Sequence, residues 1–427
     1  MRSPKPRVVI AGAGFAGIEA AKTLSKSAVD VVLIDRNNYH TFIPMLYQVA
    51  TATVDPQQVV YPIRRLFRHS PAVRFLNAEV TAVDFENQRV HTDGISLDYD
   101  YLILATGSQS QYLGVPGAPK HSLPMRSLSE AIAIRNHVLR CCEQAAKTAD
   151  PAERRRLLTF VIVGGGPTGV ELAGALTELL PGLLKRDYAT LDASLVQIFL
   201  LQSGEQLLKS YPKRLGDYTA RWLRRHGVKV HLATRVSEVT PDSAHLNEET
   251  TIPTRTVIWT AGVKGAPPET HQPVETVAGN KIFVTPTLQV ARRSQVYAVG
   301  DLAKVDGESL TGVAQEAMQQ GTAAAKNILR QLRGQVTQPF EYNNKGRLAI
   351  IGRHAGVGEV GQFAFTGFLA WLLWLEVHLF YLPGIRNRLG VLFNWLKAYC
   401  FGEGTVRLII EPGNERPAKI SNPGMGR

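Results

Sequence analysis

The chain has 427 residues, which predicts two or three domains, and its 44% apolar and 20% charged residues exclude a disordered or low-complexity protein. The formal charge of +12 favours an anionic partner such as a phosphorylated cofactor, nucleic acid or an acidic lipid surface. The apolar stretch at 363–375 is too short to cross a bilayer, so a polytopic membrane protein is also excluded.

The first pattern along the chain is a strand, a glycine-rich turn and a helix. A β-branched run at 8–11 is followed by the letters GAGFAG at 12–17 and by a helix-compatible segment at 18–24. In such a GxGxxG turn the second glycine lets a pyrophosphate approach the backbone, and the helix N-terminus favours its charge. The next strand, at 29–34, ends at Asp35, where a carboxylate is expected to meet ribose hydroxyls. The pattern predicts an adenine dinucleotide site, with a packing turn as the alternative.

The same pattern recurs further along the chain, where GGGPTG occupies residues 164–169. Each copy is followed, at nearly the same offset, by a strand and a small-residue turn, ATG at 105–107 and TAG at 260–262. Two matched sets predict a duplicated dinucleotide-binding unit, and two units imply two cofactors. We call the copies the first unit and the second unit.

A predicted buried strand at 295–299 then ends in the turn formed by Gly300 and Asp301. With this turn, the order of motifs resembles the FAD-dependent pyridine-nucleotide oxidoreductases. The resemblance implies that the first unit binds FAD and the second unit binds the nicotinamide dinucleotide. It also implies that Asp301 accepts hydrogen bonds from the ribityl hydroxyls of the flavin. A helix N-cap is the alternative role for Asp301, and the two roles are compatible.

The cofactor-binding residues predicted in this way come from both units and from the Gly-Asp turn. They are Gly12, Gly14, Phe15, Ala16, Gly17, Asp35, Arg36, Pro44, Thr106, Gly107, Gly164, Gly166, Pro167, Thr168, Gly169, Gln202, Gly262, Gly300, Asp301 and Ala314.

One of these residues departs from the family pattern. NADH-specific relatives usually end the second strand of the second unit with an acidic residue, whereas here the strand at 195–201 ends at Gln202. A neutral side chain does not repel the 2′-phosphate of NADPH, so we expect NADPH to be used alongside NADH. Glu205 is the alternative carboxylate if the register is shifted.

The electron acceptor is indicated by other segments. Residues 47–53 contain no cysteine where many relatives carry a redox pair, which argues against a disulfide reductase. Residues 38–50, 314–321, 371–379 and 386–388 resemble the type II NADH dehydrogenases, the single-subunit NAD(P)H:quinone oxidoreductases. The resemblance implies hydride transfer from NAD(P)H to FAD and delivery of two electrons to a membrane quinone, without proton pumping.

Three residues are predicted to be catalytic. Gln315 and Gln319 are four apart on a predicted helix, so their amides share a face and could reach a quinone or the flavin edge. Ordinary surface polar residues are the alternative. Glu171 is expected near the nicotinamide, where a buried carboxylate could relay a proton. Since Glu19 occupies the equivalent place in the first unit, a simple helix-position preference is equally well supported for Glu171.

Residues 363–400 are rich in aromatic and aliphatic side chains, with Arg386, Arg388 and Lys397 nearby. Tryptophans beside basic residues predict a helix pair that lies in the membrane interface and binds an acidic lipid surface. A buried docking helix or a homodimer interface is the alternative, and both could hold.

The predicted fold is α/β, with two Rossmann-like dinucleotide-binding domains and a C-terminal helical membrane-binding segment. The predicted domains are an FAD domain at 1–115 and 275–345, an NAD(P)H domain at 116–274 and a membrane-anchoring region at 346–427. We expect a peripheral membrane protein on the cytoplasmic, NAD(P)H-containing face of an energy-transducing membrane.

Two other functions compete with this prediction. One is a sulfide:quinone reductase, which the adjacent Cys141 and Cys142 disfavour, and the other is a non-catalytic nucleotide-sensing membrane scaffold. No nucleic-acid motif and no metal-ligand spacing occurs in the sequence, so neither a nucleic-acid partner nor a metal is expected.

Overall fold

A computed structural model describes residues 5–188, 190–247, 250–308, 310–401 and 407–409. Positions 402–406 and 410–427 of the predicted membrane-anchoring region lie outside the described residues. The helices are α1 (Phe15–Leu24), α2 (Leu46–Ala50), α3 (Ile63–Leu66), α4 (Ala118–His121), α5 (Leu128–Lys147), α6 (Pro151–Leu157), α7 (Pro167–Asp187), α8 (Lys213–Arg225), α9 (Ala314–Gln331), α10 (Phe368–Tyr381) and α11 (Ile385–Leu396). Single helical turns lie at Ile43–Met45, Pro56–Gln58, Ala193–Leu195, Gly300–Leu302 and Lys397–Phe401.

The first sheet surrounds the strand that precedes the first glycine-rich turn. Its strands lie in the order Thr276–Val277, Lys281–Val284, Gln289–Val290, Arg293–Ala298, Tyr101–Leu104, Arg7–Ala11, Asp30–Asp35 and Val73–Asn77, with Ala303–Val305 beside Lys281–Val284. The strands from Arg293–Ala298 to Val73–Asn77 run parallel. Parallel strands are covered on both faces, which explains why Val8, Val9 and Ile10 are consecutive and fully buried.

The second sheet repeats this arrangement. Its parallel strands lie in the order Leu123–Pro124, Thr256–Trp259, Thr159–Val163, Gln197–Leu201 and Val228–His231. In both sheets the strand before the glycine-rich turn lies between the second strand of its unit and the strand that ends at the small-residue turn. The predicted α/β class with two Rossmann-like units is therefore confirmed.

Shorter strands form sheets outside these two. The sets are Tyr39–Thr41 with Val60–Pro62; Val80–Asp84, Arg89–Thr92, Ser96–Asp98 and Glu269–Thr270; Ser108–Ser110 with Val263–Gly265; Val236–Val239, Ser243–Leu246 and Thr250–Pro253; and Arg347–Gly352, Ala355–Val360 and Phe363–Gly367. The pair Ser108–Ser110 and Val263–Gly265 joins the two units, because each strand follows the small-residue turn of one unit.

The buried hydrophobic side chains form two large clusters. One core fills the first unit, and another is shared by α5 and α7 of the second unit, the segment 42–59 and the C-terminal helices α10 and α11. The C-terminal region is thus packed into the body of the protein.

The C-terminal region corrects part of the membrane prediction. Residues 363–367 form a strand, and helices begin only at Phe368. The expectation that tryptophans occupy the membrane interface is wrong, because Trp371, Trp374 and Trp395 are buried. The Trp395 indole donates to Gln48 Oε1 at 2.9 Å, which satisfies its polar atom inside the core.

Other apolar side chains of this region do face outward. The exposed ones include Phe363, Phe368, Leu369, Leu372, Val377, Phe380, Tyr381, Ile385, Leu389, Leu392, Phe393 and Leu396. Phe363, Ile385 and Phe380 are 80%, 76% and 68% exposed, so these side chains do not pack against the core. Together with their neighbours they form an exposed apolar patch. A docked inner face and an exposed apolar outer face are therefore both present. Within the described residues, no helix has the length and apolar character needed to span a membrane.

Candidate functional site

The first glycine-rich turn joins the strand Arg7–Ala11 to α1. Gly12 has a φ of +106°, and a Cβ there would lie 2.3 Å from the Ala105 carbonyl oxygen, so only glycine fits. A Cβ on Gly17 would lie 1.8 Å from the Gly12 carbonyl oxygen, so this glycine is needed for packing. Gly14 differs, because a Cβ there would meet no atom within 4 Å. Open space beside the first amides of α1 fits a cofactor pyrophosphate.

Phe15 and Ala16, which begin α1, pack inward. The Phe15 ring makes edge contacts with His40 and Phe42, at centroid distances of 5.0 and 5.9 Å. Ala16 is buried against α9, where a Cβ on Gly321 would lie 2.1 Å from the Ala16 carbonyl oxygen. These two residues therefore offer a cofactor their backbone amides rather than polar side chains.

Asp35 lies at the end of the second strand, as predicted. Its Oδ2 accepts from the Ala13 amide at 2.7 Å, and its Oδ1 accepts from the Asn37 amide at 2.8 Å. Burial raises the pKa of this carboxyl, and the two amides partly offset that effect. The structure thus brings Asp35 to the glycine-rich turn, where a ribose is expected.

Two further residues of the first unit, Arg36 and Pro44, were predicted to bind the cofactor. The Arg36 guanidinium is exposed and lies 3.6 Å from Glu79, so in the described residues it has a carboxylate partner other than a cofactor. Pro44 is half-buried in the turn Ile43–Met45, which leads into α2.

The second glycine-rich turn reproduces the first. Gly164 has a φ of +116°, and a Cβ on Gly169 would lie 1.9 Å from the Gly164 carbonyl oxygen. A Cβ on Gly166 would meet nothing within 4 Å, as at Gly14. Pro167 and Thr168 open α7, where proline fits because the first helical amide has no partner in the helix.

Gln202 occupies in the second unit the place that Asp35 has in the first. The Gly165 amide donates to Gln202 Oε1 at 2.9 Å, matching the Ala13 to Asp35 bond of 2.7 Å. The side chain at this position therefore braces the turn in both units, while only the first unit supplies a negative charge.

The two small-residue turns meet where the units cross. Thr106 Oγ1 donates to the Ala266 carbonyl at 2.7 Å, and the Gln111 amide donates to the Gly262 carbonyl at 3.2 Å. Gly107 has a positive φ of 72° and precedes the strand Ser108–Ser110. The carboxyl ends of the two parallel sheets, where ligands bind in such folds, are thereby linked.

Asp301 lies at this crossing, in the single turn Gly300–Leu302. Its Oδ2 accepts from Ser108 Oγ at 2.8 Å and from Arg126 Nη2 at 2.7 Å. Gln320 Oε1 accepts from the Gly300 amide at 2.7 Å and holds the turn from the side of α9.

Sequence reasoning missed Arg126, Ser108 and Gln320. The only local signal was the pattern S-x-x-E, in which Ser127 and Glu130 form a capping box that begins α5 directly after Arg126.

The predicted catalytic glutamines are on one face of α9, which begins at Ala314. Gln315 Nε2 donates to the Gly346 carbonyl at 2.7 Å. Gln319 Nε2 donates to the Asn343 carbonyl at 2.9 Å, and its Oε1 accepts from the Asn343 amide at 3.0 Å. Both carboxamides thus bind the backbone of residues 343–346.

Both glutamines also line an open cleft of about 770 Å³ between α9, the segment 338–345 and Tyr381 at the end of α10.

Glu171 is buried on α7, beneath the strand Arg347–Gly352. Burial raises the pKa of its carboxyl to about 8, and the Ile350 amide and the Trp374 indole offset only part of that effect.

A row of aromatic rings connects this region with the first glycine-rich turn. Trp374 stacks on His378 at 3.8 Å, His378 contacts Phe42 at 6.1 Å, and Phe42 contacts Phe15.

In the described ranges, no three His, Cys, Asp or Glu side chains are grouped so that they could hold a metal ion. The site combines two glycine positions with open space at helix N-termini, a carboxylate at the end of the second strand of one unit, and a carboxamide at the equivalent place in the other.

Comparison with known proteins agrees with this geometry. The profile described as pyridine nucleotide-disulphide oxidoreductase matches residues 6–321, and that of the NDH2 C-terminal domain matches residues 344–403. The chain is 34% identical to the type II NADH:quinone oxidoreductase Ndh of Mycobacterium tuberculosis, over 91% of this chain and 87% of that protein. It is 27% identical to the mitochondrial internal alternative NAD(P)H-ubiquinone oxidoreductase A1 of Arabidopsis thaliana, over 95% and 86% of the two chains.

Solved structures share the fold. NDH2 from Plasmodium falciparum in complex with NADH matches with a TM-score of 0.87 at 21% identity, over 95% of this chain and all (100%) of that one. The sulfide:quinone oxidoreductase of Aquifex aeolicus matches with a TM-score of 0.73 at 16% identity, over 90% and 92%. The family profiles and the 34% identity to the mycobacterial relative show that the chain belongs to the type II NADH:quinone oxidoreductases, within the pyridine nucleotide-disulphide oxidoreductase family.

Proposed function

We propose that this chain oxidises NADH or NADPH at its second unit and reduces a membrane quinone, with FAD held by the first unit. The observation that carries the proposal is the pair of glycine-rich turns, each with an open second glycine, joined through the strands Ser108–Ser110 and Val263–Gly265. Bound FAD supplies the two-electron chemistry, since it accepts a hydride from a nicotinamide and passes electrons to a quinone.

The chain's own residues fit an FAD at the first unit. The amides that open α1 are free to bind the pyrophosphate beside Gly14, and Asp35 is available to the adenosine ribose. Asp301 directs Oδ2 to protein donors and leaves Oδ1 without a donor among the described residues, so Oδ1 can accept from the flavin side chain.

At the second unit, the open side of Gly166 and the first amides of α7 would hold the pyrophosphate of the nicotinamide dinucleotide. Gln202 would donate its Nε2 hydrogens to the ribose hydroxyls or to a 2′-phosphate, because its Oε1 is already engaged by Gly165. A site without a carboxylate here accommodates both NADH and NADPH.

Glu171 is proposed to hold a proton. With a pKa of about 8, its carboxyl is mainly protonated near neutral pH, and burial keeps that proton from water. A quinone takes up two protons on reduction, and Glu171 is a buried acid beside Trp374, at one end of the row of rings that ends at Phe15. Its proposed role is to donate a proton during quinone reduction.

Gln315 and Gln319 are proposed to act at the quinone step by positioning the segment 343–346. Their amides fasten this segment to α9, and the segment adjoins the cleft that extends to Tyr381 on the exposed end of α10. A quinone entering from a membrane bound at α10 would meet this cleft first.

Membrane attachment is proposed to use the exposed faces of α10 and α11. Arg386 is exposed on α11, and the Lys397 ammonium lies 4.7 Å above the Phe393 ring, so basic groups accompany the apolar face. Such a surface suits acidic lipid on the side of the membrane that contains NAD(P)H. A homodimer that covers the same face is the competing proposal, and binding to acidic vesicles separates the two.

The sulfide:quinone reductase alternative requires reactive thiols. Cys141 and Cys142 are buried on α5, and burial raises the pKa of their thiols to about 11 and about 12. Neither is activated as a thiolate, which leaves this alternative without support from the described cysteines.

The test is the visible absorption spectrum of the purified protein during turnover. An oxidised-flavin band that bleaches with NADH and returns after addition of a short-chain quinone supports the proposal. Bleaching by sulfide, with no response to NADH, favours a sulfide:quinone reductase. Nucleotide binding without any flavin band favours a non-catalytic scaffold and contradicts the proposal.

A further inference from the structure

Arg126 makes the ion pair that connects the second unit to the Gly-Asp turn of the first. Its Nη2 lies 2.7 Å from Asp301 Oδ2, and Ser108 Oγ donates to the same oxygen at 2.8 Å. Arg126 Nη2 also contacts Ser108 Oγ, so the three groups form a closed triangle. The side chains of Arg126 and Asp301 are only 27% and 20% exposed, which limits solvent screening of the pair.

The backbone at Arg126 is held in place by hydrogen bonds. The amides of Arg126 and Ser127 both donate to Glu130 Oε2, at 2.7 and 2.8 Å, within the capping box that begins α5. The preceding strand Leu123–Pro124 pairs with Thr256–Trp259 and thereby belongs to the second sheet. Arg126 is therefore presented by the second unit, on a rigid support.

Asp301 is held on one side and free on the other. Its Oδ2 has two donors, while Oδ1 has none among the described residues and faces Gly312, where a Cβ would lie 3.4 Å away. The Gly300 amide is bound by Gln320, so the turn itself cannot rotate easily. The carboxylate orientation therefore depends on the donors to Oδ2.

We propose that Arg126 is a positioning residue of the FAD site, because it fixes Asp301 Oδ2 so that Oδ1 is presented to the flavin ribityl hydroxyls. FAD affinity then depends on a side chain that the nicotinamide-binding unit contributes, and the first unit alone forms an incomplete site. The inference rests on the proposed FAD site of the first unit, and extends it.

The experiment titrates FAD into deflavinated full-length protein and follows the quenching of flavin fluorescence. Loss of a hydrogen bond to a charged group predicts that Arg126→Gln raises the Kd for FAD by about 10- to 100-fold. Arg126→Lys should recover most of this loss, because an ammonium can still reach Oδ2. Arg155→Gln, which removes an exposed arginine of α6, is the matched control and should bind FAD like the wild type.

A double variant identifies the path of the effect. If Arg126 acts through Asp301, the variant that combines Arg126→Gln with Asp301→Asn should bind FAD no more weakly than Asp301→Asn alone. Additive losses would overturn the proposal, as would wild-type FAD affinity in Arg126→Gln. Binding of NADH to the same preparations should stay within about threefold of the wild type, because Arg126 touches no predicted nicotinamide contact.

Ser108→Ala covers the case in which Arg126→Gln does not fold. It removes the second donor to Oδ2 without changing the charge, and should weaken FAD binding by about 3- to 10-fold. Unchanged affinity in Ser108→Ala would contradict the proposed triangle. The function proposed above fails on a different observation, namely a flavin-loaded wild type that NADH does not reduce.

Discussion

Gln202 determines, on our interpretation, which nicotinamide dinucleotide the second unit accepts. Its Oε1 is 2.9 Å from the Gly165 amide, as Asp35 Oδ2 is 2.7 Å from the Ala13 amide in the first unit. Gln202→Glu keeps this brace, because a carboxylate oxygen accepts the same amide hydrogen. The second carboxylate oxygen then takes the place of the Nε2 donor and faces the ribose.

The magnitude follows from Coulomb's law. Two unit charges about 4 Å apart in a medium of effective dielectric near 20 repel by roughly 4 kcal/mol. Gln202 is half-buried, so solvent screening reduces this to about 2 kcal/mol, or about 30-fold in kcat/KM. We expect the wild type to use both cofactors within about tenfold, and Gln202→Glu to lose about 30-fold or more with NADPH while NADH is retained.

The assay compares kcat/KM for NADH and NADPH at saturating quinone in the wild type and the variant. Gln197→Glu is the matched control, since it adds the same charge at the other end of the same strand, where Lys229 donates to the side chain at 3.0 Å. A wild type that already rejects NADPH, together with no change in Gln202→Glu, would refute the reasoning and direct attention to Glu205.

Other predictions test the remaining parts of the site. Gly14→Ala should fold within about 1 kcal/mol of the wild type but lose at least about tenfold in FAD affinity, because its Cβ occupies only the open space. Glu171→Gln should flatten the pH dependence of Tm. The wild-type carboxyl keeps its proton when folded up to about pH 8 but ionises near 4.5 when unfolded, so wild-type stability falls as pH rises between these values. Gln319→Leu should slow quinone-driven reoxidation by about 3- to 10-fold in stopped flow and leave reduction by NADH within about twofold. Leu389→Glu should reduce co-sedimentation with acidic vesicles by about tenfold or more.

Each of these has a control or a contrary outcome. Gly12→Ala should be destabilised by about 3 kcal/mol or more even without FAD, since its Cβ would overlap the Ala105 carbonyl. If Tm of Glu171→Gln depended on pH as in the wild type, the raised pKa of Glu171 would not be the cause of that dependence. Equal slowing of both half-reactions in Gln319→Leu contradicts a quinone-side role. Ile95→Glu alters another exposed aliphatic residue outside the C-terminal region and should leave vesicle binding unchanged.

The two units were predictable because their signals are local. A strand, a tight turn and a helix follow each other within about twenty residues, and sterics at Gly12 and Gly164 restrict those positions to glycine. The same local rule placed Asp35 and Gln202 at equivalent points. Gln315 and Gln319 were correctly expected to share a helical face, but their partners are backbone groups of 343–346, which leave no residue-type signature.

Long-range contacts could not be predicted from the sequence, for a different reason. Arg126 and Asp301 are 175 positions apart, and one arginine among 48 basic residues carries no mark of its partner. In α10 the apolar side chains surround the whole helix, so periodicity could not tell that Trp374 faces inward while Phe380 faces outward. Which ring is buried depends on α7 and the segment 42–59, both distant in sequence.

Because α10 and α11 share a hydrophobic core with the second unit, the proposed membrane-binding face and the nucleotide-binding unit belong to one packed body. Trp374 and Trp395, which are 0% and 3% exposed, lie on the same helices whose exposed apolar face is the proposed membrane contact. Removing α10 and α11 by proteolysis would therefore also expose the core around Glu171, so these helices cannot be lost without damage to the folded protein. Membrane binding through this face would stabilise the native state, as any ligand of the native state does. By the same linkage, a mutation that destabilises the shared core would also weaken membrane binding.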